Sequence, residues 1–305
     1  MSLPEPRYAV NSYSTPHNTV FEDIEQVART GGQGVGLWEG KFADGGPAVD
    51  ERVAAELAAH GLGTSIAVPA LHAILSIPFD RPGVPTDPQE RADRICASIE
   101  RLARFSPQVV AVAPGTSGVA GEPVGPLEDV LRVLPQIADT AAACGVQIGL
   151  ELLAERRGAT ISTLPDMVAV LDEVGRPNVG IMVDVFHSWC EPDLHARLRR
   201  YADRINSVQV CDVKPQERGG FDREYPGRGR GAAVEFVATM IEVGYTGYWE
   251  LEVFSDDGTY GDAYPDSYWI QPHERFLAEA KAAFDDTWAR ATALVEARRE
   301  GAVTA

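Results

Sequence analysis

The chain has 305 residues, 45% of them hydrophobic, and a formal net charge of −18. It can bury a large core, while its surface would repel a phosphate backbone; with no basic stripe along the sequence, nucleic acid is not an expected partner. The N-terminal "MSLPEPRYAV" lacks a basic stretch followed by an apolar one, and no run approaches about eighteen uninterrupted apolar residues. Neither a leader nor a membrane span is therefore expected, and the chain is placed in the cytoplasm. Cys96, Cys144, Cys190 and Cys211 are scattered without C-x-x-C spacing, as expected of reduced thiols in that compartment.

Short β-like runs alternate with longer helical ones along the chain. The strand candidates "YAVNSYS" and "QGVGLWEG" come first, followed by the amphipathic "DERVAAELAAHG". Strand "GTSIAVPA" precedes helix "DPQERADRICASIERLARF", and strand "QVVAVAPG" precedes helix "PLEDVLRVLPQIADTAAACG". Strand "VQIGLELL" then leads to helix "TLPDMVAVLDEVG", and strands "VGIMVDVF", "INSVQVCD" and "YWELEVF" complete a set of eight. Apolar residues at three-to-four spacing mark the helices, and acidic or Ser/Thr starts and glycine stops cap several of them. Eight β-α units in about 300 residues predict a (β/α)8 barrel. A doubly wound open sheet is the alternative, but "GGQGVG" at 31–36 enters a strand rather than leaving one, the wrong context for a dinucleotide turn. No linker divides the chain, so one domain is expected over 1–305, with the barrel at about 7–272 and a helix at about 273–300 that could close it and extend into a homo-oligomer contact.

In such a barrel the reactive groups project from the C-terminal ends of the strands. The ionisable residues there are mostly acidic: Glu151 after strand five, Asp184 and His187 after strand six, Gln209 and Asp212 on strand seven, Glu250 and Glu252 on strand eight. Strand alternation points Glu250 and Glu252 inward, with Glu252 nearer the mouth, while Trp249, Leu251 and Val253 face the helices. Three carboxylates converging on one axis repel one another unless a cation holds them. Two arrangements satisfy this: a divalent metal on Glu151, Asp184, Glu252 and the amide oxygen of Gln209, or buried ion pairs with Arg204 of "RINS" and the arginines of "RGR". The oxygen-rich set suits Mg2+ or Mn2+ first and Zn2+ or Co2+ second. His72 in "VPALHAILSIP" and Trp38 at the end of strand two are candidates for contact with substrate, and Arg228 and Arg230 of "PGRGRG" for a clamp on its oxygens. "DDGTYGDAYPDSYW" reads equally as a lid, a subunit contact or an ordered surface loop.

The series "GLELL", "NVGIMVDVFHSW", "RINSVQVCDV", "PGRGRG" and "GYTGYWELEVFSD", together with "GVGLWEGK", resembles the xylose-isomerase-like TIM-barrel superfamily of sugar phosphate isomerases and epimerases over almost the whole chain. The resemblance implies one divalent metal on Glu151, Asp184, Gln209 and Glu252, with His187 and Arg228 or Arg230 contacting substrate oxygens. Glutamine at 209, where most sugar isomerases of this type carry histidine, resembles the dehydroshikimate dehydratase and inositol-catabolism branches.

The expected activity is a metal-dependent sugar isomerase or epimerase acting through an enolate, with Glu151 and Glu252 as base and conjugate acid. The alternative is a dehydratase or lyase on a dehydroshikimate-like acid, an inosose or a keto-glycoside. The partner is thus a small carbohydrate or cyclitol. A DNA-repair endonuclease of the same superfamily would need a histidine-rich zinc cluster and a basic groove, which six histidines in total and the acidic charge oppose. A non-catalytic sugar-binding subunit would keep the aromatic mouth and dispense with the ligand set.

Overall fold

The computed structural model describes residues 5–78 and 80–303. Its ten strands are β1 Arg7–Asn11, β2 Gly34–Trp38, β3 Gly63–Val68, β4 Val109–Val112, β5 Ile148–Glu151, β6 Val179–Asp184, β7 Ile205–Val210, β8 Asp212–Val213, β9 Arg223–Glu224 and β10 Tyr248–Leu251. Eight of them close a parallel barrel in the order β1-β10-β7-β6-β5-β4-β3-β2, and β8 and β9 form a small antiparallel ladder beside its mouth. The expected (β/α)8 architecture is the observed one, and each of the eight strand candidates overlaps a barrel strand.

Local chemistry sets the helices. Asp87 caps Pro88–Leu102 by accepting from the amides of Gln89 and Glu90, and Pro88 sits in the first turn, where its missing N–H is not needed. Thr19 and Glu22 form a reciprocal capping box at Val20–Arg29. The C-terminal helix His273–Val303 runs 31 residues. Its Phe284 meets Tyr8 of β1 at 4.8 Å and its Trp288 meets Trp249 of β10 at 5.2 Å, so it covers the seam between the first and last barrel strands. Among the described residues, no helix is long and apolar enough to cross a membrane.

The barrel interior is divided. Ile66, Val68, Val109, Ala111 and Met182, from β3, β4 and β6, make an apolar wall. Opposite them, Glu250 of β10 forms a polar floor with Asn11 Nδ2 (2.6 Å), Ser65 Oγ (2.5 Å) and Gln209 Nε2 (3.3 Å), all donating to its carboxylate. Trp249 and Leu251 pack outward against the helices, as strand alternation requires. The β2–β3 register shifts between Val35 and Leu37, which lets the consecutive residues Ser65 and Ile66 both serve the interior.

The floor requires a glycine at position 36 of the neighbouring strand β2. A Cβ there would lie 2.8 and 2.9 Å from the Glu250 oxygens and 3.0 Å from Asn11 Cα. Gly36→Ala is therefore expected to lower stability by about 1–3 kcal/mol in denaturant unfolding. That loss is expected to shrink in a Glu250→Ala background, where the added methyl has room; equal losses in both backgrounds would show that the contact does not set the packing.

Candidate active site

Four consecutive barrel strands, β5, β6, β7 and β10, deliver the polar groups of the site. In the barrel register Glu151 lies beside Met182, Asp184 beside Gln209, and Gln209 beside Glu250. Asp184 ends β6 in the apolar run and is fully buried. Its Oδ1 accepts from the Phe186 amide at 2.9 Å and so starts the short helix Val185–Ser188. That turn swings His187 back over the strand end, with Nε2 3.9 Å from both Glu151 Oε1 and Asp184 Oδ2. Spacing of three residues thus corresponds to one helical turn.

The cation facing these carboxylates is Arg223 of β9, which sequence reasoning missed. Its Nη1 donates to Asp184 Oδ2 at 2.8 Å and to Glu252 Oε2 at 2.7 Å. The guanidinium lies between the Phe186 and Phe254 rings, 4.6 Å from each centroid. The arginines named as ion-pair candidates are elsewhere. Arg204 pairs with Asp172, Arg230 stands 3.8 Å from Glu217 and over Trp189, and Arg228 lies over Tyr225. The clamp expected of Arg228 and Arg230 is corrected accordingly, since neither lines the cavity. The reason is the turn itself: Gly231 N donates to Asp212 Oδ1 and Arg230 N to Val213 O, so the "PGRGRG" backbone packs on β8 and its arginines point away. No spacing rule marks Arg223; its only signal is a position in extended chain three residues before Pro226.

Charge does not balance on protein groups alone. Burial, then Arg223, Arg156 and Arg157, hold the His187 pKa well below its usual range, so the imidazole is neutral. Glu151, Asp184 and Glu252 as anions would then face one guanidinium, leaving a surplus of two negative charges in a largely buried site. Burial, followed by Glu252 and Asp184, raises the Glu151 pKa well above the usual carboxylate range. Burial outweighs Arg223 at Glu252 and brings it to about 7, and burial likewise brings Glu250 to about 7. Arg223 stays charged because Asp184 and Glu252 outweigh its burial.

These residues suit a hard divalent cation. Glu151, Asp184 and His187 offer ligand atoms within 4.8 Å of one another. Gln209 Nε2 donates to Glu250 Oε1, which leaves Gln209 Oε1 buried without a partner. An orphaned amide oxygen beside surplus negative charge is what an oxygen-ligated metal would satisfy.

A cavity opens above this cluster, lined by Asn11, Tyr13, His72, Phe221, Phe254 and Tyr260 besides Glu151, His187, Gln209, Arg223 and Glu252. His72 is where the sequence placed it, and burial pushes its pKa down to about 4. Trp38 does not line the cavity: it stacks beneath Tyr13 at 4.4 Å, so Tyr13 presents the aromatic face expected of it. Tyr260 belongs to the ordered loop after β10 and stacks on Phe221 at 5.0 Å, forming part of the roof. Asp256 holds that loop by accepting from the amides of Gly258, Tyr260 and Asp262.

The chain belongs to the xylose isomerase-like TIM barrel family, whose model matches residues 24–281. It is similar to D-psicose 3-epimerase of Enterocloster bolteae, 28% identical over 129 residues, 42% of this chain and 40% of that protein. It is also similar to 3-dehydroshikimate dehydratase of Pseudomonas aeruginosa, 28% identical over 257 residues, 78% of this chain and 36% of that protein. The chain thus spans well under half the length of these curated relatives. A solved structure of IolI protein with a binding zinc atom superposes with a TM-score of 0.74 at 18% identity, covering 93% of this chain and 98% of that one.

Glu250 and Glu252 hold protons in the folded protein up to about pH 7 that the unfolded chain releases near 4.3. Their contribution to stability is present below the unfolded value and lost as pH rises through about 7. Chelator-treated protein is therefore expected to melt at progressively lower temperature from pH 5 to pH 8, and added Mn2+ to restore most at pH 8. A flat profile would show that Arg223 compensates the site unaided.

Proposed function

We propose that the chain is a divalent-metal-dependent isomerase or epimerase of a keto-sugar, working by proton transfer at the carbon next to a carbonyl. The single observation that carries this reading is the juxtaposition of Glu151, largely buried, and Glu252, buried, two carboxylates with raised pKa values at the base of an aromatic-lined cavity. Glu151, Asp184, Gln209 and Glu252 would hold the metal, whose chemistry when bound is Lewis-acid polarisation of the substrate carbonyl.

The protein groups divide the remaining work. β5 and β10 are separated in the barrel by β6 and β7, so Glu151 and Glu252 approach the cavity from different sides. One carboxylate removes a proton and the other returns one, and a pKa near the working pH suits both tasks. Arg223 fixes the Glu252 carboxylate through its Oε2 and keeps Asp184 from rotating. Neutral His187, with Nδ1 unpartnered, can hydrogen-bond a substrate hydroxyl. Tyr13, Phe254 and Tyr260 exclude water and present apolar faces to the carbon skeleton.

The same groups would serve elimination of a β-substituent, which gives a dehydratase. Glutamine at position 209 and the dehydratase relative aligned over 78% of the chain favour this second reading.

One divalent ion per chain is expected by elemental analysis, with Asp184→Ala abolishing it. Glu252→Gln is expected to lose metal or activity, and Glu250→Gln mainly stability; the reverse would place the working layer one step deeper. Metal-loaded protein in D2O is expected to exchange the proton adjacent to the carbonyl of an accepted ketose, inosose or dehydroshikimate, read by NMR. Glu151→Gln should slow that exchange by about 10^2 to 10^4-fold. Turnover indifferent to EDTA, or product retaining the original hydrogen throughout, would overturn the reading, and the product formed separates epimerase from dehydratase.

A further inference from the structure

Arg157 lines the same cavity, six residues beyond Glu151 on the loop after β5. Arg157 is half-buried, yet among the described residues its guanidinium makes no ion pair and no side-chain hydrogen bond. The neighbouring Arg156, of similar burial, is partnered. It donates to Glu217 Oε1 at 2.8 Å, to Phe186 O at 2.5 Å and to Cys190 Sγ at 3.3 Å. Glu217, the carboxylate whose field acts most strongly on Arg157, is therefore already held by Arg156 and lies 3.8 Å from Arg230.

The backbone holds Arg157 in place. Its carbonyl accepts from Gly118 N at 2.8 Å and from Thr116 Oγ1, tying the loop after β5 to the loop after β4. Gly158 closes the turn in the left-handed region at φ 67°. Gly220 lies under the guanidinium, and any Cβ there would overlap its Nη2 and Cζ. Burial lowers the Arg157 pKa first, and Arg156 lowers it further. A partly desolvated guanidinium without a counter-charge is unfavourable, and an anion supplied by a ligand reduces that penalty.

We propose that Arg157 is an anion-binding subsite of the cavity and that the natural substrate carries a carboxylate. Arg223 is committed to Asp184 and Glu252, and Arg156 to Glu217. Among the described residues that line the cavity a single guanidinium fork then remains, which matches the two oxygens of a carboxylate, whereas a phosphate dianion calls for more positive charge than one guanidinium supplies. The subsite rests on the proposed isomerase or dehydratase reading only in taking the ligand as the substrate.

The test is calorimetric binding of matched probes to Mn2+-loaded protein: D-fructuronate against D-fructose, 3-dehydroshikimate against its carboxamide, and D-fructose 6-phosphate as the phosphate arm. At least one carboxylated probe is expected to bind about tenfold or more tightly than its neutral partner. Arg157→Gln should remove that preference while leaving the neutral probe's affinity unchanged, and Arg157→Lys should keep part of it. Gly220→Ala, which displaces the guanidinium without removing it, should weaken the carboxylated probe as well. Absence of any preference, or of binding by every carboxylated probe, overturns the subsite. A preference that survives Arg157→Gln also overturns it, because the carboxylate is then held at the metal. A larger gain for D-fructose 6-phosphate than for D-fructuronate overturns the choice of carboxylate. Exchange of a neutral ketose in D2O without an Arg157-dependent preference sinks the subsite alone. The preference without exchange of any probe sinks the isomerase or dehydratase reading alone.

Discussion

The Arg223 guanidinium held by Asp184 and Glu252 governs how this barrel mouth can exist. Buried carboxylates repel one another and lose hydration, and removing one partner of such a pair from a protein interior typically costs about 3–5 kcal/mol. Arg223 removes the repulsion along one edge only, because both of its short contacts run through a single nitrogen, Nη1. Glu151 stands outside that arrangement, its nearest basic group being the neutral His187 at 3.9 Å. The protein therefore contains one partly compensated pair and one uncompensated acid. Under the proposed function a proton or a metal ion would complete the site, with the pH deciding between them.

The floor below is a separate device with a different purpose. Glu250 receives three side-chain donors, two of which, Asn11 and Gln209, also line the cavity, and it orients the Gln209 amide. Such an arrangement turns the identity of the residue at 209 into a question of geometry. A glutamine needs an acceptor behind it to keep its oxygen forward, and β10 supplies one from the layer beneath the mouth. The Ser65 contribution in turn depends on the register shift between β2 and β3, so that irregularity is connected to Gln209 at the cavity by hydrogen bonds through Glu250.

Much of this was legible in the sequence because it follows from periodicity. Alternation in "YWELEVF" was enough to put Glu250 and Glu252 on one face, and an aspartate interrupting the apolar run "VGIMVD" was enough to mark Asp184 as compensated. The compensator was not legible. Arg223 sits on a strand of two residues, too short to show a period, and meets Asp184 across 39 positions of sequence. The closely spaced pair Arg228 and Arg230 was conspicuous for its density of charge, but density carries no direction, and Gly229 between them and Gly231 after them let the backbone rather than the side chains approach Asp212. Trp38 misled in a similar way: an aromatic at a strand end announces a ring near the mouth, but not which of two stacked rings is uppermost.

The anchoring of the roof by Asp256 bears on how this cavity could diversify. Three main-chain amides converge on one buried carboxylate, so the loop's path from Gly258 to Asp262 is set by backbone groups that every residue but proline possesses. The side chain at 260 is then free to change without the loop losing its course. Substrate preference and structural integrity are thereby encoded at different positions, and an evolving lineage could exchange the tyrosine for a smaller or a polar residue while inheriting the rest of the barrel intact.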